Sequence, residues 1–150
     1  MAALSSWTCP LTLTLLLWCR AWSWPDGAPC IGNALQSMTP NAKVHEGGAQ
    51  SSKPPYRFVI NDGCYSPGRE VRITLTGDGA KFKGFVISAR VYGTEQTVGT
   101  FKRDSNGSWK YQCFPEETRA TITHSHSTPK GEMLVFWEAT QATGAYVQFM

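Results

Sequence analysis

Two histidines, His124 and His126, have the residue type and spacing best suited to binding a metal ion in this chain. They lie two positions apart in a stretch predicted to be a strand, so their imidazoles share one face. Two imidazoles on one face can begin a zinc or copper site, which needs a third and usually a fourth ligand. His45 and scattered carboxylates are the available donors. We therefore interpret the pair as structural or surface residues, and we predict neither a metal ion nor another cofactor.

Catalytic motifs are missing from the sequence. It contains no Gly-x-Ser-x-Gly nucleophile elbow, no His-Glu-x-x-His pair and no glycine-rich phosphate loop. Serine, histidine and aspartate all occur, but no spacing among them selects a catalytic triad. We therefore predict that the chain is not an enzyme and that its function is binding.

A set of basic residues offers a second kind of chemistry, the binding of polyanions. Positive side chains that share one face can bind sulfated glycans or bacterial surface polyanions. Arg72 and Arg90 fall on the polar faces of two strands that we expect to be neighbours, so they would reinforce one patch. The alternative is a solvated strand face with ordinary solubilising charge. The candidate residues are Arg72, Lys81, Lys83, Arg90, Lys102 and Arg103, with Lys110 close to them in sequence. The net charge of +3 is too small to indicate nucleic-acid binding.

Short strands separated by turns must position these side chains. Apolar and polar residues alternate from Val71 to Thr76 and again from Phe85 to Tyr92, with Gly77-Asp-Gly79 between the two runs. This pattern predicts two half-buried strands joined as a hairpin. Strands at 97–102 and 109–113 are predicted to form another hairpin, and further strands are predicted at 56–60, 118–124, 133–139 and 145–149. Many short strands with frequent turns favour an all-β, antiparallel sandwich, preceded by an irregular arm at residues 24–53.

The first 23 residues are predicted to be a signal peptide. Leu11–Trp18 is a short apolar run, too short to cross about 30 Å of hydrocarbon, and Ala21 and Ser23 suit signal peptidase. No lysine or arginine precedes the apolar run, so a buried N-terminal helix and a membrane anchor are the alternatives. No later stretch is apolar enough to span a membrane, so the mature chain is predicted to be secreted and extracellular.

Cysteine usage and one glycosylation motif fit an oxidising compartment. Removal of the signal peptide leaves Cys30, Cys64 and Cys113, which allow three pairings that the residues alone do not distinguish. Asn106-Gly-Ser108 is an acceptor for N-linked glycan in a predicted surface turn. The alternative is an unmodified turn that uses Asn-Gly for its backbone geometry.

The order of several short motifs resembles the Reeler (reelin-type) domain family. The central signature is Tyr65-Ser-Pro-Gly68, an alternating strand, Phe82-Lys-Gly-Phe85 and the pair Ala89-Arg90. Other matching pieces, at similar distances, are Pro25–Cys30, Met38–Pro40, Gln50, Pro54–Tyr56, Val98–Phe101, Cys113, Thr123-His124, Phe136-Trp137 and Gly144. The resemblance covers residues 24–150 and implies an immunoglobulin-like sandwich with a lengthened N-terminal arm.

The resemblance also implies a disulfide and a role. It pairs Cys30 with Cys113, and in the chain-entropy model a loop of that length stabilises the fold by about 4–5 kcal/mol. Cys64 has no counterpart in the family pattern, so it is either a buried free thiol or the site of an intermolecular bridge. Resemblance to small secreted defence-type Reeler proteins implies innate-immune or matrix contacts with a glycan or microbial-surface polyanion, or with an extracellular protein.

A longer protein is the alternative interpretation. The last predicted strand stops at Met150, where Reeler domains continue for several residues, so the strand is expected to be truncated. On this interpretation the chain is the N-terminal extracellular domain of a longer Reeler-containing membrane protein. Some of those proteins are named ferric-chelate reductases, and the resemblance assigns their redox chemistry to haem-binding membrane segments downstream of the Reeler domain.

Overall fold

The computed structural model describes residues 24–28, 50–102, 106–112, 119–141 and 144–150. These ranges contain eight strands and no α-helix. The predicted signal peptide, Cys30, Arg103 and Cys113 lie outside them. The strands are β1 (Tyr56–Ile60), β2 (Glu70–Gly77), β3 (Val86–Val91), β4 (Thr100–Phe101), β5 (Trp109–Tyr111), β6 (Thr121–His124), β7 (Glu132–Glu138) and β8 (Val147–Phe149).

The strands form two antiparallel sheets. Sheet 1 has the order β1-β2-β7-β4, and sheet 2 has the order β5-β6-β3-β8. Every strand pairing in both sheets is antiparallel. The predicted all-β, immunoglobulin-like sandwich is therefore confirmed. Among the described residues no helix has the length and apolar character needed to cross a bilayer.

The core lies between the two sheets and is built by alternation along each strand. Sheet 1 contributes Ile73, Val135 and Trp137, each no more than 1% exposed, and sheet 2 contributes Ile87 and Ile122. Burial of one such side chain stabilises the folded state by about 1.5–3 kcal/mol. The predicted inward face of the strand at residues 71–75 is confirmed by this packing.

Neither predicted hairpin forms. β2 pairs with β1 and β7 in sheet 1, whereas β3 pairs with β6 and β8 in sheet 2. β4 and β5 are likewise in different sheets. The loop after β2 does not turn back, because Phe82 forms a bridge with Lys130 and leads the chain across to sheet 2. Local turn chemistry marks where a strand ends, but it does not select the sheet that the next strand joins.

Sheet 2 is buried on both faces where β3 and β6 run side by side. Ser88 and Thr121 belong to the face away from the core, yet they are 1% and 2% exposed. Their hydroxyl oxygens lie 3.1 Å apart, which satisfies both groups. Part of this outer face is covered by the N-terminal segment Trp24–Ala28, whose residue Ala28 bonds to Thr123.

Candidate binding surfaces

The predicted basic set divides among separate parts of the fold. Arg72 lies exposed on the outer face of sheet 1, directly opposite Phe136 of β7. Lys102 forms an ion pair with Glu138. Lys81 and Lys83 lie on the loop between β2 and β3, at one end of the sandwich. The members of the set that the structure describes therefore do not form one patch.

Arg90 is buried, so the predicted patch that joins it to Arg72 is wrong. Its residue exposure is 6%, and its Nη1 donates to a carboxylate oxygen of Glu95 at 2.8 Å. Its Nε lies 3.4 Å from the hydroxyl oxygen of Ser88. The alternating pattern had placed Arg90 on a solvent face next to Arg72. The error arises because β2 and β3 belong to different sheets and because the outer face of sheet 2 is buried around Ser88, Arg90 and Thr121.

Two lysines remain exposed at the end of the sandwich where β2 leads into β3. Phe82 is 7% exposed and packs into the core, so the neighbouring residues Lys81 and Lys83 point the opposite way. Main-chain hydrogen bonds of 2.8 and 2.9 Å between Phe82 and Lys130 hold this segment in place. We call Lys81, Lys83 and the loop 125–131 that braces them the basic end.

Lys130 holds the two loops of the basic end together through hydrogen bonds of its ammonium group. Its ammonium donates to the carbonyl oxygens of His126 and Thr128 at 2.8 Å and approaches that of Lys83 at 3.4 Å. Burial lowers the pKa of Lys130 because desolvation disfavours the charged form. The carbonyl oxygens offset that cost, and Lys130 thereby ties the two loops of the basic end together.

The glycosylation motif lies beside the same loop. The main-chain nitrogen of Ser125 donates to the carbonyl of Ser108 at 3.2 Å, and its hydroxyl donates to the carbonyl of Gly107. Asn106 itself is exposed. A surface turn is therefore present at the motif, and glycan attachment remains a prediction.

His124 uses both ring nitrogens on the backbone. Nδ1 accepts the main-chain N–H of Phe85 at 3.1 Å, and Nε2 lies 3.0 Å from the carbonyl oxygen of Trp24. The ring is so close to Gly84 that a Cβ there would lie 2.7 Å from it. His126 is exposed on the turn after β6. Within the described ranges, no three or more histidine, cysteine, aspartate or glutamate residues are grouped to hold a metal ion.

Cys64 is exposed, so its interpretation as a buried thiol is wrong. Its main-chain N–H donates to Asp62 at 3.1 Å, and the same carboxylate pairs with Arg69 at 2.6 Å. These contacts fix the loop that presents the thiol. An intermolecular bridge through Cys64 remains a prediction.

A groove that was not predicted from the sequence lies at the end of the sandwich opposite the basic end. It has a volume of about 180 Å³ and runs between the Cys64 loop and β8. Tyr65 stands in it, with its hydroxyl donating to the carbonyl of Ala145 at 2.5 Å. Tyr146 on its rim is 85% exposed. The signal in the sequence was the uncharged run Tyr146–Met150, which the alternating pattern identified only as a strand.

Comparisons with known proteins place these features in a family context. The Reeler domain family matches residues 33–150. The mouse protein ferric-chelate reductase 1 is 25% identical over 146 residues, which cover 95% of this chain and 23% of that protein. The human protein of the same name is 26% identical, with 99% and 24% covered. The chain spans about a fifth of the length of the curated relatives it matches.

Solved structures show a similar fold. The crystal structure of the human F-spondin reeler domain matches with a TM-score of 0.56 and 22% identity, covering 67% of this chain and 75% of that one. The Reelin-N domain of F-spondin matches with a TM-score of 0.52 and 21% identity, covering 67% and 76%. At this level of identity the likeness extends to the fold alone.

Proposed function

Because the chain belongs to the Reeler domain family, we propose that it is a secreted, non-catalytic binding module that contacts polyanions of microbial surfaces or of the extracellular matrix. The predicted family resemblance is confirmed by the match, and the ligand class is our proposal. A defence-like role follows from it if the polyanion is microbial.

The basic end is the surface that supports this proposal best. Several other basic side chains have a carboxylate partner: Arg57 with Asp78, Arg69 with Asp62, Arg90 with Glu95 and Lys102 with Glu138. Among the described residues, Lys81 and Lys83 have no such ion pair and point into solvent together. Their charges therefore remain available to an anionic ligand, and this availability is the observation that carries the proposal.

The strength of such a contact depends on ionic strength. An exposed ion pair contributes about 0–1 kcal/mol, and charges beyond the Debye length of about 8 Å at physiological salt are screened. Two lysines alone would therefore bind weakly and reversibly. A repeating polyanion offsets this weak binding, because many identical sites on one polyanion chain raise the effective concentration of binding sites near the protein.

Charge reversal tests the basic end. We expect the secreted protein to bind immobilised heparin or lipopolysaccharide and to elute at lower salt when it carries Lys81→Glu and Lys83→Glu. The matched control is Arg69→Glu with Lys102→Glu, which changes net charge equally at residues outside the basic end. If both variants elute at equally lowered salt concentrations, net charge alone governs retention. If the unmodified protein shows no salt-sensitive retention, the proposal is ruled out.

The second candidate is that the module is the N-terminal extracellular domain of a longer membrane protein. The observation in its favour is that the chain spans about a fifth of relatives named ferric-chelate reductase 1. A transcript that reads through Met150 into a transmembrane segment would support it. A secreted product of this length in culture medium would favour the first candidate.

A further inference from the structure

Strand β8 lies at an edge of sheet 2 and pairs only with β3 among the described strands. The main chain of Tyr146 and Met150 bonds to Tyr92 and Ser88 of the β3 segment at 2.8 to 3.0 Å. Because antiparallel bonding alternates along a strand, the N–H and C=O groups of Val147 and Phe149 point the other way. No described residue provides a backbone partner for them there.

This edge differs from the other three edges of the two sheets. Native edges carry charged side chains or proline, which discourage pairing with another strand. Arg57 lies in β1, Lys102 directly follows β4, and Lys110 lies in β5. The segment Tyr146–Met150 that contains β8 has neither a charged residue nor a proline. Among the described edges, the β8 segment is therefore the one that carries neither a charged residue nor a proline.

Large apolar side chains are also exposed at this edge. Tyr146 is 85% exposed and Met150 is 56% exposed, and both lie on the outer face of sheet 2. Tyr92, directly opposite Tyr146 on the β3 side, is 69% exposed. Exposed apolar side chains next to an unpaired strand edge are typical of protein–protein contact surfaces.

We propose that β8 pairs antiparallel with β8 of a second copy of this chain, around a two-fold axis at Gln148. In that register Val147 of one copy lies opposite Phe149 of the other, and each exchanges both main-chain hydrogen bonds with its counterpart. Sheet 2 of one copy and sheet 2 of the other then join into one continuous sheet across the dimer.

The proposed register also accounts for the exposed side chains. Tyr146 of one copy faces Met150 of the other in a pair that is not hydrogen-bonded, where Cα atoms approach to about 4.5 Å and side chains pack closely. Gln148 faces Gln148 of the second copy at the axis. The uncharged sequence makes this self-pairing possible, since a single charge at position 148 would face its own copy.

Because residue 148 faces its own copy at the axis, charged substitutions at this position test the proposal. Light scattering after size exclusion of the secreted protein should report a dimer that dissociates on dilution. Gln148→Lys and Gln148→Glu should each give monomers, because like charges meet at the axis. An equimolar mixture of the two variants should restore a dimer, because lysine then faces glutamate. The matched controls are Gln96→Lys and Gln96→Glu, at an exposed residue on the far side of β3, and both should remain dimeric.

Amide hydrogen exchange identifies the edge directly. The amides of Val147 and Phe149 should be protected in the dimer and should exchange rapidly after dilution to monomer. A monomer at all concentrations, a dimer that Gln148→Lys leaves intact, or amides protected equally in the monomer would each overturn the proposal. The last result would mean that another part of the chain covers the edge. Failure of the heparin experiment would leave this proposal unaffected.

Discussion

The carbonyl oxygen of Ala28 accepts a 3.2 Å hydrogen bond from Nε2 of Gln112, a residue 84 positions further along the chain. The main-chain nitrogen of Ala28 donates to the hydroxyl of Thr123 at 3.0 Å. Gly27 permits this approach, since its φ of +101° suits glycine and a Cβ there would lie 2.4 Å from the carbonyl oxygen of His124. The N-terminal segment is thus docked onto the outer face of sheet 2.

A disulfide between Cys30 and Cys113 is the first prediction that follows. Ala28 and Gln112 precede these cysteines by two residues and one residue, and each residue spans at most about 3.6 Å. Non-reducing peptide mapping of the secreted protein should recover the Cys30–Cys113 link. Cys113→Ser should lower the free energy of unfolding by about 2–5 kcal/mol. Cys64→Ser, at an exposed thiol, should change it by less than about 0.5 kcal/mol. A peptide that links Cys64 to Cys30 or Cys113 would contradict the pairing.

His124→Ala should destabilise the domain by about 2–4 kcal/mol in urea unfolding. The change leaves the N–H of Phe85 and the carbonyl of Trp24 without their partner and opens a cavity at a buried position. His126→Ala is the matched control, and its exposed side chain predicts a change below about 0.5 kcal/mol. Stabilisation of the protein by added zinc, lost in both variants, would instead revive the metal-site interpretation.

Gly99→Ala should be one of the most damaging small substitutions in the chain. Gly99 has φ of +66°, and a Cβ there would lie 2.3 Å from the indole of Trp137, which is 1% exposed. Because that ring is buried and its Nε1 donates to the carbonyl of Val98, we expect a loss of more than about 3 kcal/mol. Gly68→Ala has a similar φ of +76° and open space, so it should cost only about 1–2 kcal/mol. Thermal melts that rank the two variants equally would show that backbone strain, and not the clash, dominates.

Asn106 should carry an N-linked glycan when the chain passes through the secretory pathway. The residue is exposed in a turn, which is the setting that this modification needs. Digestion with an N-glycosidase should lower the apparent mass of the secreted protein, and Ser108→Ala should abolish the shift. Ser127→Ala, at an exposed serine outside the motif, should leave the shift unchanged. If digestion leaves the apparent mass of the protein without substitutions unchanged, Asn-Gly serves the turn geometry alone.

Alternation along single strands was the part of the fold that the sequence predicted well. Val71 and Ile73 face the core as expected, and Val147 and Phe149 pack against it from β8. Period-2 patterning reports which side of a strand is apolar, because successive side chains point to opposite faces. It carries no information on which strand lies alongside, and so β2 and β3 were wrongly joined.

Burial of polar residues was the part that the sequence did not reveal. Ser88, Arg90 and Thr121 have the composition of a solvent face, yet their partners come from other strands or loops and satisfy them inside the fold. The same applies to His124, whose partners Trp24 and Phe85 are 100 and 39 residues away. A buried polar group is permitted when distant residues bond to it, and such partners cannot be identified from local sequence.

The assignment of β2 and β3 to different sheets bears on how the protein folds. β1 with β2 is a local pairing, whereas Ile73 of β2 lies opposite Val135 of β7 and Ala89 of β3 lies opposite Phe149 of β8. Such distant partners must close long loops before their contacts contribute, which slows folding of β-sandwiches into the range of about milliseconds to seconds. During that interval the uncharged strand β8 would have no neighbour. Sheet 2 is therefore complete only after β8, which is 56 residues or more beyond β3 in sequence, has paired with it.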